Sequence, residues 1–309
     1  MSRANRLLLA SAVALVVGAA VGVVAAAWIG SSGGSSAVAT KSLKPLPNTS
    51  TPPRPPSGAV VLAQELGTRA VALAIGPGRR LTATVLSGVG GGESGLDVSF
   101  RVGGTTLPAR PCGPGCYRAT APAGAPRHVD VLVAGRSASF QIPRAAAPAA
   151  AIVRRAGDVF RRLHTLVYVE SLRSKPSGGI VTTWKFVAPN RMAYGIRGGA
   201  AAVVIGEKRW DRIKPGGSWT RSSQIPALTV PQPSWGRGTM DARLLARSTV
   251  DGRPAWVVSF ADPTIPAWFT AWIDRATYRT LRLRMTAAGH FMSHHYLAFN
   301  RPLRIAPPR

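Results

Sequence analysis

A mainly β chain behind a single N-terminal transmembrane helix is the fold class this sequence predicts, and three observations predict it. Leu7 to Ile29 runs without one charge. From Gly58 onward, short alternating β-like runs are separated by Gly, Pro, Asn and Asp turn signals. One stretch alone, AAIVRRAGDVFRRLHTL, repeats its apolar residues at helical spacing.

The apolar run LLLASAVALVVGAAVGVVAAAWI is long enough, at about 1.5 Å per residue, to cross a bilayer. It exceeds the apolar core of an ordinary secretory signal, so we expect an uncleaved anchor, residues 1–30, in the plasma membrane. Arg3 and Arg6 precede the span and favour a cytoplasmic N-terminus, which puts the bulk of the chain outside. Gly18 and Gly22 form a GxxxG that could pair two such helices. Residues 31–57 are Gly/Ser-rich and then Pro-rich, a tether that stiffens toward its end.

Residues 58–143 carry seven strand-like runs: AVVLAQEL, AVALAIG, LTATVL, LDVSFRV, CYRATA, VDVLVAG and SASFQIP. Their spacing predicts a small antiparallel sandwich of immunoglobulin-like type. Cys112 and Cys116 are the two cysteines of the chain and flank Gly-Pro-Gly. Outside the cytoplasm that pair is expected to be a disulfide that fixes a turn.

Residues 148–309 open with the amphipathic helix, which presents Ile152, Ala156, Val159, Phe160 and Leu163 on one side. Eleven strand-like runs follow, from LVYVESL to HFMSHHYLAF, and seven of the eight tryptophans lie here. One helix followed by a long antiparallel meander must be wrapped by the sheet if both apolar faces are to be buried. The Pro-rich stretch around IPALTVPQPSWGRG reads as a loop across an open end.

Composition excludes several functions. The formal net charge is +27, from 39 basic and 12 acidic residues, yet only six of the basic residues are Lys and no basic block or groove-reading motif is present. Nucleic-acid binding is therefore not expected, whereas attraction to an anionic envelope surface is. Gly30-Ser31-Ser32-Gly33-Gly34 fits GxSxG without the strand and helix a nucleophile elbow needs. Gly90 to Gly95 fits GxGxxG but leads into a strand, LDVSFRV, rather than a helix. There is no HExxH, P-loop or plausible Ser/His/Asp set, so no enzyme is expected. Glu170 is the one acid inside an apolar run of the second half. An edge or solvent-face position is expected for it, with a buried general base as the alternative and no evident His or acid partner.

HFMSHHYLAF is the strongest chemical signal. As a strand it puts His290, Met292 and His294 on one face, a donor set that suits copper. Along one strand His290 and His294 stand about 13 Å apart, so a site would need a ligand from a neighbouring strand, Met285 or Met192. The alternative is a core methionine with histidines at a rim.

The segments TTWKFVAPNRMAYGI, AAVVIGEKRWDRIKPGGSWTR and GRPAWVVSFADPTIPAWFTAWIDRATYRTLRLRM, followed by FMSHHYLAFNRPLRI, resemble the half-barrel of the LolA-like lipoprotein-sorting family and its LppX/LprG-type relatives. The resemblance implies a carrier whose concave sheet holds a lipid or a lipoprotein acyl chain. Trp184, Tyr194, Trp210, Trp256 and Trp272 are then candidate lining residues, with Trp235 in a lid. GLDVSFRVGG, CGPGCYRA and VDVLVAGRSASFQIP give the ectodomain a second resemblance, to the extracytoplasmic region of actinobacterial CopC/CopD-type copper-resistance proteins. It implies copper handling, although residues 58–143 contain no Met. A partner-binding module beside a membrane complex is the third expectation.

Overall fold

The computed structural model describes residues 51–124, 126–235 and 238–309. The expected anchor helix (7–29), Gly18, Gly22 and the first part of the tether lie outside these residues. Among the described residues, no helix is long and apolar enough to cross a membrane.

Two sheets form the first unit. One contains β1 (Val60–Leu66), β2 (Arg69–Gly76), β3 (Arg80–Leu86), β6 (Arg110–Gly113) and β7 (Cys116–Thr120), in the order β1-β2-β3-β7-β6. The other runs β5-β4-β8-β9, with β4 (Val98–Val102), β5 (Thr105–Pro108), β8 (His128–Val133) and β9 (Arg136–Gln141). Between them Val71, Leu73, Leu81, Val85, Phe100, Val129 and Val131 make a closed core. Strands β5 and β6 add to the seven runs anticipated. Both are only four residues long and carry Pro, which hides their period. Cys112 and Cys116 are disulfide-bonded with Cα atoms 5.0 Å apart, across the β6–β7 turn.

Strand β2 is buried along both faces because its alternation serves two cores. Val71 and Leu73 point into the sandwich, while Ala70, Ala72 and Ala74, with Ala59, Val61 and Ala63, form a small-residue face. Against that face lie Ala261, Trp268 and Phe291 of the second unit. Alanines let two sheets approach closely where larger side chains would hold them apart. The end of the Pro-rich tether also docks here: Pro52 is buried and the Arg54 Nη2–H donates to the Pro263 carbonyl at 3.1 Å. The tether's end is thus held against the junction.

The second unit begins with helix α1 (Ala150–Arg161). Its buried residues are Val153, Ala156, Gly157 and Phe160, so the apolar stripe is turned slightly from the expected one. Val153 rather than Ile152 leads it, and Leu163 is buried just beyond the helix end. Eleven strands follow: β10 (Thr165–Arg173), β11 (Ile180–Val187), β12 (Arg191–Ile196), β13 (Ala201–Ile205), β14 (Lys208–Arg212), β15 (Thr220–Ser223), β16 (Met240–Val250), β17 (Arg253–Ala261), β18 (Ala267–Asp274), β19 (Thr280–Ala287) and β20 (His290–Phe299). They form one antiparallel sheet in the order β15-β14-β13-β12-β11-β10-β20-β19-β18-β17-β16. The sheet is not a single meander. Two meanders meet where the first strand of the unit, β10, pairs with its last, β20. α1 packs on the concave face, and bulges at Val167/Tyr168 and Trp272/Ile273 help the sheet bend.

Candidate functional site

Register defines what faces α1. Tyr194, Trp184, Tyr168 and Tyr296 stand in one cross-strand row over β12, β11, β10 and β20. Neighbouring ring centroids along the row are 4.8, 6.1 and 5.2 Å apart. The next row holds Ile196, Thr182, Glu170, His294 and Leu283. A further row toward the sandwich holds Leu172, Met292, Met285, Phe269 and Phe260. The wall is aromatic and sulfur-rich with one polar interruption at its centre.

That interruption is a buried pair. His294 and Glu170 have side chains 2% and 6% exposed, and His294 Nε2 lies 2.7 Å from Glu170 Oε2. A carboxylate has no proton to give, so Nε2–H donates to it. The Tyr296 hydroxyl is 3.0 Å from Nδ1. A run of buried polar contacts thus passes from Tyr296 through His294 to Glu170. The Tyr168 ring covers the imidazole at 4.7 Å. Burial, then the neighbouring Glu170 charge, pushes the Tyr168 phenol well above its ordinary value, and burial raises Tyr296 as well.

The expectation for Glu170 is corrected on both counts: it lies on a central strand facing inward, with His294 as partner. Its position two residues from Tyr168 was a signal for the inner face, but Val167 and Val169 make the opposite face apolar too, so alternation alone did not choose. The partner is 124 residues away and becomes visible only through the β10–β20 pairing.

The ring stack ends at a second polar fixture. Arg209 holds Asp211 with two bonds of 2.7 Å and donates to the Tyr194 hydroxyl at 3.2 Å. Burial raises the Tyr194 phenol despite this cation.

Trp184, Tyr194, Trp235 and Trp256 all face inward. Trp184 is fully buried, and Trp256 packs on Tyr278, over which Arg155 of α1 lies at 4.1 Å. Trp210 and Trp272 are corrected to the outer face. Trp210 pairs across to Val203 and Arg221, one position out of phase with the inward Arg209 and Asp211, and Trp272 pairs with Val257 and Arg282. A one-residue offset on a strand is a change of face.

His290, Met292 and His294 do share the inner face, and Met285 stands directly across from Met292. The set does not fit copper. Both nitrogens of His294 are committed to Glu170 and Tyr296, and its ring is about 13 Å along the strand from His290. Among the described residues, no three His, Cys, Asp or Glu side chains are grouped to hold a metal ion. Burial depresses the pKa of His290. His295 is on the outer face with Asp251 at 2.6 Å.

The mouth is closed by residues 224–235, which form no regular secondary structure. Leu228 N–H donates to Gly206 O at 3.1 Å and Val230 N–H to Pro189 O at 2.8 Å. Trp235 then inserts between α1 and the sheet, edge-on to Phe160 at 6.2 Å and to Phe260 at 5.8 Å. In this closed arrangement the space between helix and sheet is filled by the protein's own side chains.

The fold and site define a β-sandwich joined to a curved antiparallel sheet that wraps one helix over an aromatic inner face. No family model matches the chain, and no curated protein matches it. Solved structures with a similar fold include LprF from Mycobacterium bovis, at 12% identity and TM-score 0.40 over 52% of this chain and 96% of that one. The lipoprotein LppX of Mycobacterium tuberculosis gives 14% identity and TM-score 0.40, over 50% and 97%. A LolA superfamily protein from Nitrosomonas europaea gives 13% and 0.24, over 52% and 96%. What this protein does is read from its own geometry.

Proposed function

We propose that the protein is a membrane-anchored, extracytoplasmic carrier that holds an apolar molecule, a lipid or a lipoprotein acyl chain, between the concave sheet and α1. The observation that carries this reading is the inner face: a continuous row of four aromatic rings, flanked by Met285 and Met292, closed on one side by a segment without regular structure. Methionine and aromatic walls adapt to flexible chains. Three backbone bonds, from Gln224, Leu228 and Val230, and the buried side chains of Leu228, Val230 and Trp235 hold the segment down over β12–β14 and α1. None of these is a ladder bond between strands, so the segment can lift without breaking the sheet. Ligand uptake then means replacement of Trp235 by the apolar chain. The Glu170–His294 pair gives the otherwise greasy wall a fixed polar point that can meet a headgroup or ester oxygen.

No catalytic step is assigned. The His294 nitrogens face Glu170 and Tyr296, and among the described residues no serine hydroxyl bonds the imidazole, so the pair does not prepare a nucleophile. The anchor at 7–29, with the cytoplasmic N-terminus and the pairing through Gly18 and Gly22, belongs to this proposal and is testable by protease protection and by crosslinking in membranes.

The direct test is lipid extraction from the purified full chain followed by mass spectrometry, with a fluorescent fatty acid titrated into the same preparation. Bound lipid above the level in a detergent blank, and faster exchange in Trp235→Ala, are expected. Neither extracted lipid nor saturable probe binding in either form would overturn the reading.

A further inference from the structure

A second concavity lies on the other side of the sheet, in the cleft between the two units, with a volume of about 570 Å³. It is lined from the sandwich by the β1–β2 hairpin (Gln64 to Gly67) and by Arg136 at the start of β9. From the second unit it is lined by the outer faces of β10, β19 and β20, with Met285 and Met292 of the inner face at its border. Register arranges those outer faces in rows. Ser171, Ser293 and Arg284 stand side by side across three strands, and Arg173, Phe291 and Thr286 form the next row.

The charge in the cleft is unbalanced. Of its three guanidinium groups, Arg173 is neutralised by Glu65 at 2.8 Å. Arg136 and Arg284 have no carboxylate within 4.0 Å among the described residues, which include all 12 acids of the chain. Arg284 lines the cleft with its side chain exposed, and desolvation by the surrounding protein lowers its pKa. Arg136 is positioned too: its guanidinium lies over the hairpin where a side chain at Gly67 would stand. Glycine at 67 answers both that approach and a φ of +70°. Two unpaired guanidiniums, two adjacent serine hydroxyls and an apolar wall from Phe291 and Leu66 match an oxyanion attached to a small organic body. The volume falls within the roughly 300–1,000 Å³ usual for small-molecule sites.

We infer that this cleft binds a phosphate ester, with Arg136 and Arg284 on the phosphate and Ser171 and Ser293 as additional donors. The binding groups of this site lie on the face of the sheet opposite the apolar carrier wall, and Met285 and Met292 border both. Its phosphate has two possible sources, a soluble glycerol phosphate or the headgroup of an anionic glycerophospholipid.

The test places the full chain in nanodiscs of phosphatidylcholine and titrates sn-glycerol 3-phosphate by calorimetry. Saturable binding is expected, weakened at least tenfold by Arg136→Gln/Arg284→Gln. Arg284→Lys, which keeps the charge but loses the fork, is expected to weaken it three- to fivefold. Arg304→Gln/Arg309→Gln, an exposed pair of changes that removes the same two charges elsewhere, is expected to leave it within twofold and so controls for the net charge of +27. Repeating the titration in nanodiscs with 30% phosphatidylglycerol separates the sources. A competing headgroup blunts the titration, and an unchanged curve assigns the site to the soluble ester. No binding in phosphatidylcholine discs, or binding that Arg136→Gln/Arg284→Gln and Arg304→Gln/Arg309→Gln affect alike, overturns the inference.

Discussion

Replacing Glu170 by Leu is expected to be among the most damaging single changes in the second unit, and replacing His294 as well is expected to undo most of the damage. The pair is almost fully buried, at 2% and 6% side-chain exposure, and joined at 2.7 Å. Removing one partner of such a pair costs about 3–5 kcal/mol, because the other keeps a desolvated polar group without its bond. In Glu170→Leu that group is the Nε2–H of His294, sealed under the Tyr168 ring. Glu170 Oε1 already lacks a partner among the described side chains, so the wild type carries part of the polar cost itself. In Glu170→Leu/His294→Phe both polar ends are gone. Tyr296 then loses its bond to His294. The double variant should lie within about 1–2 kcal/mol of wild type, giving a coupling of at least about 2 kcal/mol. Urea unfolding followed by tryptophan fluorescence measures all four corners of the cycle, and Trp184 beside Tyr168 reports on this region. A single variant costing under about 1 kcal/mol, or a double variant equal to the sum of the singles, would refute the reasoning.

Other outcomes follow from the same contacts. Trp235→Ala removes the wedge between Phe160 and Phe260, and should lower stability by about 3–5 kcal/mol in the ligand-free protein, read as a lower urea midpoint. Reduction of Cys112–Cys116, or its replacement by Ser, closes off only a short loop from the unfolded chain's constraints and should cost no more than about 2 kcal/mol, with the second unit's fluorescence unchanged. At Gly289, in the β19–β20 turn, a Cβ would stand 2.5 Å from the Gly88 carbonyl and φ is +63°. Gly289→Ala should therefore loosen the junction and raise proteolytic cleavage there while each unit stays folded. Burial opposes the charge of Asp274, but the Thr277 backbone and hydroxyl, Arg253 and the Ala276 N–H outweigh it and hold the carboxyl below its usual value. Its contribution is therefore present above the unfolded value near 3.9 and lost as pH falls through the lower folded value. Asp274→Asn should flatten the acid limb of a stability–pH curve, and an unchanged limb would show that other carboxylates set it.

Alternation and turn residues made much of the architecture legible. Runs such as GIVTTWKFV and PAWVVSF declare strands, Asp251-Gly252 declares the β16–β17 hairpin, and the Arg-rich stripe of 150–161 declares one helix. The disulfide followed from two cysteines across Gly-Pro-Gly. Period-two counting also put His290, Met292 and His294 on one face. These features depend on neighbours a few residues apart, which local sequence specifies.

Pairings between distant segments decided the rest. Which face of β14 and β18 looks inward depends on register across the sheet, and it moved Trp210 and Trp272 outward. The β2 run AVALAI reads as one buried strand, and only the approach of Trp268 and Phe291 shows that its alanines form a junction. Most of all, β10 meets β20 across more than a hundred residues, which brings Glu170 to His294 and Ser171 to Ser293. The sequence by itself determined strands, helix, turns and the apolar period, because these are set by backbone preference and nearest neighbours. The tertiary structure alone decided what the polar side chains do, because a buried carboxylate or an unpaired arginine acquires its chemistry from the partner that folding places beside it.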